Sequence, residues 1–361
     1  METKPVLLLI NPWIYDFAAH DFFARPLGLL YLASFLAEQG FAVRLLDCLD
    51  TPHTRSGTFG TGRYPKEILP TPAPLQGIPR LYGRYGITAA EFRARLAAIP
   101  KPDAILVTSL MTYWYPGVQA VINLAREQFP GTPIILGGIY ATLCPEHAGR
   151  QSGADVVATG PGEESILFNL AAAGLPVPAH AETLDLDSLP YPALHLLSNL
   201  SYLPLLTSRG CPLDCLYCAS RLLQPHYRRR QPLAVAEELC YWHERLGLQD
   251  VAFYDDALLL DAENHLLVIL EELARRELSF RFHTPNGLHT RLITPEVARW
   301  LQRAGFATLR LGVETVALGP ERLDQKIQGG ELEEALANLE EAGFHPKEIG
   351  VYLLLGLPGQ E

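Results

Sequence analysis

A chain of 361 residues with a formal net charge of −11 offers too little positive surface for nonspecific binding to nucleic acid or anionic membrane. Apolar residues make up 48% and charged residues 19%, which suits a globular protein with sizeable cores, and the length predicts two domains. No apolar run reaches the roughly 18 residues that span a bilayer, and nothing at the N-terminus reads as a signal peptide, so a reducing, cytoplasmic setting is expected.

Behind Met1-Glu-Thr-Lys-Pro5, Val6–Ile10 reads as a buried strand. The helix Leu27–Glu38 follows, with Leu29, Leu30, Leu32, Ala33 and Leu36 near a 3.6-residue period and Gly40 as its stop. Phe41–Asp47 is a second strand. Residues 51–86 break the pattern with Pro, Gly, Thr, Arg and Tyr, and a loop of that length is either functional or disordered. The alternation resumes with helix Ala89–Ala98, strand Ala104–Thr108, helix Val118–Gln128, strands Pro133–Leu136 and Asp155–Ala158, and a helix opening at Gly160–Glu164. Residues 1–175 are therefore expected to form an α/β domain, a flavodoxin/Rossmann-like parallel sheet covered on both faces.

Prolines at 176, 178, 190, 192 and 204 predict a linker over 176–204. A second alternation then runs through strands Leu205–Ser208, Asp250–Tyr254, Ser279–His283, Thr308–Gly312 and Gly350–Leu355. Helices Val235–Leu246, Ala262–Arg276, Pro295–Ala304 and Leu332–Ala342 lie between them. This predicts a partial (β/α) barrel over 205–361. The last residues, Gly356-Leu-Pro-Gly-Gln-Glu361, follow an apolar strand directly, so the barrel is expected to be truncated there.

In a reducing compartment the six cysteines do not read as three disulfides. Three of them, Cys211, Cys215 and Cys218, crowd into Thr207-Ser-Arg-Gly-Cys211-Pro-Leu-Asp-Cys215-Leu-Tyr-Cys218, just after the first strand of the barrel. Thiolates suit iron–sulfur clusters and zinc. Three ligands leave one iron of a 4Fe–4S cluster open to a cofactor, whereas zinc would need Cys240 or His226 to complete its set. Arg228, Arg229 and Arg230 form a local basic patch nearby.

The C-x3-C-x2-C spacing, with Tyr217 before the third cysteine, resembles the radical S-adenosylmethionine (SAM) superfamily. The resemblance implies a 4Fe–4S cluster on the three cysteines, SAM chelated by its open iron, and an electron donor such as flavodoxin or ferredoxin. It also implies SAM contacts by Tyr217, by Asp255 and Asp256 in Tyr254-Asp-Asp256, and by Glu314 in Gly312-Val-Glu-Thr315. Gly350–Gly359 resembles the segment that passes the adenine. His283, Asn286 and His289 end the third strand and are expected to face the barrel mouth.

An α/β domain ahead of such a core resembles the cobalamin (B12)-binding branch of the superfamily. Ser109, at the end of one strand, and Gly137-Gly138, 28 residues on at the end of the next, resemble that branch's Ser/Thr-x-Leu and Gly-Gly segments. Hydroxyls there contact the nucleotide tail, and glycines let backbone approach it. The Asp-x-His-x-x-Gly motif of axial cobalt ligation is absent. His20, with Asp16 four residues earlier, is the axial candidate by position, and Asp50-Thr-Pro-His53 is a second.

The implied activity is reductive cleavage of SAM to start radical chemistry, with methyl transfer to an unactivated carbon of a small molecule, lipid or peptide. Two rivals stay open: a non-methylating rearrangement or oxidation without functional cobalamin, and a non-catalytic iron–sulfur sensor or electron carrier.

Overall fold

The chain divides into two units, Met1–Leu200 and Ser201–Glu361, in a computed structural model that describes residues 4–178, 185–314, 327 and 329–356. In the first unit, β1 (Val6–Asn11), β2 (Ala42–Asp47), β3 (Ala104–Val107), β4 (Ile134–Leu136) and β5 (Val156–Val157) form one parallel sheet. Its order is β5-β4-β3-β1-β2, so the chain reverses direction across the sheet between β1 and β3. This is the flavodoxin order, with a ligand crevice at the carboxyl ends beside that reversal.

Period-two alternation sends the strand residues to two separate cores. Leu8, Ile10, Ile105, Val107 and Leu136 pack with Val118, Val121 and Ile122 of helix α3 (Tyr115–Gln128). Leu7, Leu9, Leu106 and Ile135 pack on the other face with α1 (Leu27–Glu38) and α6 (Gly162–Ala172). Helices α2 (Ala89–Ala97), α4 (Ile139–Leu143) and α5 (Pro145–Gln151) complete this unit. Thr88 starts α2 by accepting the Glu91 N–H at 3.1 Å.

Of the two expectations for the loop over 51–86, functional or disordered, the second is not met, since the loop carries regular structure. It builds two small antiparallel sheets. One joins Ile14–Asp16, Gly83–Tyr85 and Lys66–Ile68; the other joins His20–Asp21, Gly62–Arg63 and Arg55–Ser56. Buried Tyr64 and Tyr85 pack with Ile14 and Leu49 beneath them. Part of the proline-rich segment also packs on this unit. Ala193 N donates to Leu30 O at 3.1 Å, and Asp50 Oδ2 and Oδ1 accept the N–H groups of Ser198 and Asn199.

The second unit orders its parallel strands as they occur: β6 (Leu203–Leu205), β7 (Asp250–Phe253), β8 (Arg281–His283), β9 (Phe306–Glu314) and β10 (Ile349–Leu353). Helices α8 (Pro232–Leu246), α9 (Leu266–Arg275), α10 (Pro295–Ala304) and α11 (Glu331–Ala342) alternate with them, after a short α7 (Ser220–Leu223). Helix α10 shows why these boundaries hold. Thr294 accepts the Val297 N–H, Pro295 opens the first turn, and Gly305 closes it at φ +91°. Phe253, Phe282 and Phe306, one from each central strand, cluster with ring centroids 5.1–5.8 Å apart. Strand β10 lies at the edge and exposes Val351, Tyr352 and Leu353. This is the sequential half-barrel expected. Thr315 and residues 357–359, singled out in the sequence, lie outside the described residues.

Candidate functional site

The cysteine loop is closed at its base. Ser208–Arg209 pairs antiparallel with Arg228–Arg229, and Arg230 N donates to Thr207 O at 2.9 Å. Gly210 turns the chain into the loop at φ +80°, where a Cβ would lie 3.0 Å from His226 O. The expected basic patch is this stem instead. Arg230 is buried in an ion pair with Glu238, and exposed Arg229 meets Asp261 Oδ2 with its Nη1 at 2.8 Å, so both are paired with carboxylates.

At the carboxyl ends of the strands an open cavity of about 440 Å³ collects the predicted residues. Cys211, Cys215, Tyr217 and Cys218 form one wall. Asp255 and Asp256 come from the end of β7, Asn286 and His289 from the segment after β8, and Glu314 and Tyr352 from β9 and β10. Leu258, Leu259, Leu288 and Leu292 line the apolar remainder. Within the loop, Cys218 N donates to Cys215 O at 2.9 Å, which curls the two thiols onto one turn.

Three thiols on one loop are the donor type that a 4Fe–4S cluster with one open iron takes, while among the described residues no group of three such side chains is drawn together tightly enough to hold a single metal ion. Three free thiols of one loop share the cavity wall, while Cys48, Cys144 and Cys240 do not line it. Burial pushes the Cys211 thiol up, and Asp256, Cys218 and Cys215 add to the shift, so a metal displaces a proton on binding there.

The two aspartates part company. Asp255 is buried, and its carboxylate takes the Thr207 N–H (3.1 Å to each oxygen), the Thr207 hydroxyl (2.7 Å) and the Ser208 hydroxyl (2.6 Å). Burial still pushes its carboxyl up against those bonds. These bonds tie the Asp255 carboxylate to Thr207 and Ser208, while the residue also lines the cavity. Asp256 opens into the cavity, where its carboxyl meets the Ser220 side chain; the surrounding protein desolvates it enough to push it up.

Glu314 ends β9 in the left-handed region at φ +65°, a conformation that costs a non-glycine residue of order 1 kcal/mol or more and clusters at functional sites. Asn286 Nδ2 donates to Tyr254 O at 2.8 Å and to Asp255 O at 3.2 Å, and Tyr352 OH donates to Pro285 O at 2.6 Å. His283 does not face the mouth as expected. It is buried in the sheet with Nε2 3.0 Å from Asp250 Oδ1 and Nδ1 3.0 Å from Thr308 Oγ1, and burial pushes its imidazole down.

In the first unit Ser109 and the Gly137–Gly138 pair do meet. Ser109 Oγ donates to Gly137 O at 2.6 Å, and Ile139 N donates to Ser109 O at 2.8 Å. The hydroxyl thus bonds the neighbouring strand end, and its oxygen also accepts from Ala141 N at 3.3 Å. Beyond it, Leu110, Met111 and Tyr113 are exposed. His20 is exposed and stacks on Phe22 at 5.3 Å. Asp16 is not its partner, since Asp16 Oδ2 accepts the Trp114 indole N–H at 2.7 Å. His53 Nε2 lies 3.3 Å from Asp21 Oδ2, with its Nδ1 edge against Gly62.

Sequence reasoning passed over Thr207, Ser208, Tyr227 and His265. His265 Nε2 reaches Thr207 Oγ1 at 2.9 Å, and Tyr227 hydrogen-bonds Ser208. None sits in a recognisable motif of its own; only the strand end at 205 and the cysteines that follow mark the place.

The family model of the radical SAM superfamily matches residues 205–361, and that of the B12 binding domain matches residues 84–167. An uncharacterized methyltransferase of Pyrococcus horikoshii is 23% identical over 244 residues, covering 60% of this chain and 52% of its own length. The cytidylyl-2-hydroxyethylphosphonate methyltransferase of Streptomyces wedmorensis is 22% identical, covering 86% of this chain and 65% of its own. The chain thus spans about half to two thirds of these relatives, 52% and 65%. The solved structure of the radical SAM methyltransferase TsrM from Kitasatospora setae matches 99% of this chain and 69% of its own, with TM-score 0.69 at 18% identity, a likeness of fold. The cofactors that go with these two domains are a 4Fe–4S cluster, SAM and cobalamin. The cysteine-lined cavity lies within the stretch that matches the radical SAM family model, and Ser109 and Gly137–Gly138 lie within the stretch that matches the B12 binding domain, so the chain carries a radical SAM domain with a B12-binding-type domain ahead of it.

Proposed function

We propose that the protein is a cobalamin-dependent radical SAM methyltransferase acting on an unactivated carbon of a small-molecule substrate, a lipid or a peptide. When bound, the cluster, SAM and cobalamin supply one-electron reduction, a hydrogen-abstracting radical and a transferable methyl group. Cys211, Cys215 and Cys218 hold the cluster. Asp256, Glu314 and Tyr217, on the rim of the same cavity, bind the polar groups of SAM. The leucine wall keeps water from the reactive carbon. Gly137, where an added Cβ would meet nothing beyond its chain neighbours nearer than Ala158 O at 3.9 Å, and exposed Leu110, Met111 and Tyr113 offer cobalamin an open, apolar edge. No helix among the described residues is long and apolar enough to cross a membrane. A reducing cytoplasm with a flavodoxin or ferredoxin as electron donor completes the reading.

The observation that carries it is the convergence of three thiols of one loop with Asp256 and Glu314 on one cavity. Anaerobic reconstitution with iron and sulfide, followed by reductant and labelled SAM, tests it. Deoxyadenosine that is lost in Cys215→Ala, together with labelled methyl in the product, supports the proposal. Deoxyadenosine without methylation makes the enzyme a rearranging or oxidising one. A full cluster that never yields deoxyadenosine leaves a sensor or electron carrier.

A further inference from the structure

Thr207 and Ser208 stand just ahead of Arg209, the turn at Gly210 and the first ligand, Cys211. Both hydroxyls donate to Asp255 Oδ1, at 2.7 and 2.6 Å, and the Thr207 N–H is shared between its two oxygens. Each hydroxyl has one proton and has spent it on the carboxylate, so each takes a second bond as acceptor. Thr207 Oγ1 therefore accepts from His265 Nε2, 2.9 Å away, and Ser208 also hydrogen-bonds Tyr227. Asp255, Thr207, Ser208 and His265 are all buried. The carboxylate gathers these bonds from the segment between β6 and the cysteine loop, while its own backbone lies two residues past Phe253, the end of the adjacent strand β7. A charged acceptor serving several donors in a buried network is worth more than neutral pairs and fixes one geometry.

We propose that Asp255 is a positioning residue: it locks the entry of the cysteine loop through Thr207 and Ser208, and so sets where the Cys211 thiol stands, while its neighbour Asp256 meets SAM. This rests on the cluster reading above, and the experiment separates the two.

Wild type, Asp255→Ala, Thr207→Val and Asp256→Ala are reconstituted anaerobically, and iron and sulfide content, the rate of iron loss to a chelator and the electron paramagnetic resonance spectrum of the reduced cluster are measured with and without SAM. Thermal unfolding of each apoprotein checks its fold. Failure of the wild type to take up iron would sink the cluster reading itself. If it binds, Asp255→Ala is expected to lose iron about tenfold faster with a broadened spectrum, the scale of one charged hydrogen bond. Thr207→Val, which retains the Thr207 N–H bonds, should fall between, and it decides the matter if Asp255→Ala fails to fold. Asp256→Ala should keep the wild-type cluster spectrum and lose its change on adding SAM. Wild-type iron retention and spectrum in both Asp255→Ala and Thr207→Val, or in Thr207→Val alone if the other does not fold, would overturn the assignment.

Discussion

Gly138 stands so tightly against Ser109 that a Cβ there would lie 2.6 Å from Ser109 N and closer still to Ser109 O, at a φ of +92°. Gly137, its neighbour, would place a Cβ no nearer than 3.9 Å to any atom beyond its own chain neighbours. The pair that resembles one motif therefore does two jobs. Gly138→Ala is expected to destabilise the first unit by ~2–4 kcal/mol, from strain and backbone collision, as read by chemical denaturation. Gly137→Ala should leave that midpoint unchanged and weaken hydroxocobalamin binding, measured by titration of the corrin absorption band.

Asp47 carries a pH dependence. Its Oδ1 accepts from Asn11 Nδ2 and Leu49 N, while Oδ2 is buried without a partner among the described residues. Burial raises its carboxyl from 3.8 to about 6. Between those two values the folded protein binds more protons than the unfolded chain, so the contribution of Asp47 to stability falls as pH rises from 3.8 to about 6 and is level above. Asp47→Asn keeps the Oδ1 bonds and removes the charge. It should stabilise the apoprotein by about 1–2 kcal/mol near neutral pH, an advantage that fades on acidification through the same window.

Glu314 tests whether backbone strain is stored for the site. Glu314→Gly should be more stable than Glu314→Ala by about 1 kcal/mol, because only glycine relaxes at φ +65°. Both variants should lose SAM affinity to the same degree, since both lack the carboxylate. Equal melting temperatures for the two would show that the residue is not strained.

The buried Arg230–Glu238 pair holds the stem of the cysteine loop to α8, with Trp242 Nε1 donating to Glu238 Oε1 at 3.3 Å. Arg230→Met alone leaves a buried carboxylate unpaired and should cost about 3 kcal/mol, whereas Arg230→Met with Glu238→Leu should recover most of it. Urea unfolding of the four proteins in the cycle gives the coupling directly.

Much of this was legible in the chain. Leu7–Ile10 and Ala104–Val107 read as unbroken apolar runs because both faces of their sheet are covered, and three cysteines within eight residues have few chemical explanations. What stayed hidden was decided at long range. After Phe253 strand β7 ends, so alternation no longer tells which of Asp255 and Asp256 turns inward; Thr207, 48 residues away, decides it. His283 read as a mouth residue because Asp250 and Thr308, which bury it, lie 33 and 25 residues off. The pairing of Ser208–Arg209 with Arg228–Arg229 involves two residues on each side, too few for any period to show, and the small sheets of 51–86 were hidden for the same reason.

Strand β10 pairs only with β9 among the described residues, and Val351, Tyr352 and Leu353 are open to solvent there. Apolar side chains on an edge strand are a template on which another chain can add a strand. Purified on its own, this polypeptide should self-associate as its concentration rises, through that edge rather than through the cysteine loop. A charged residue at Val351 would blunt the edge and keep the protein monomeric while leaving the cluster-binding cavity in place.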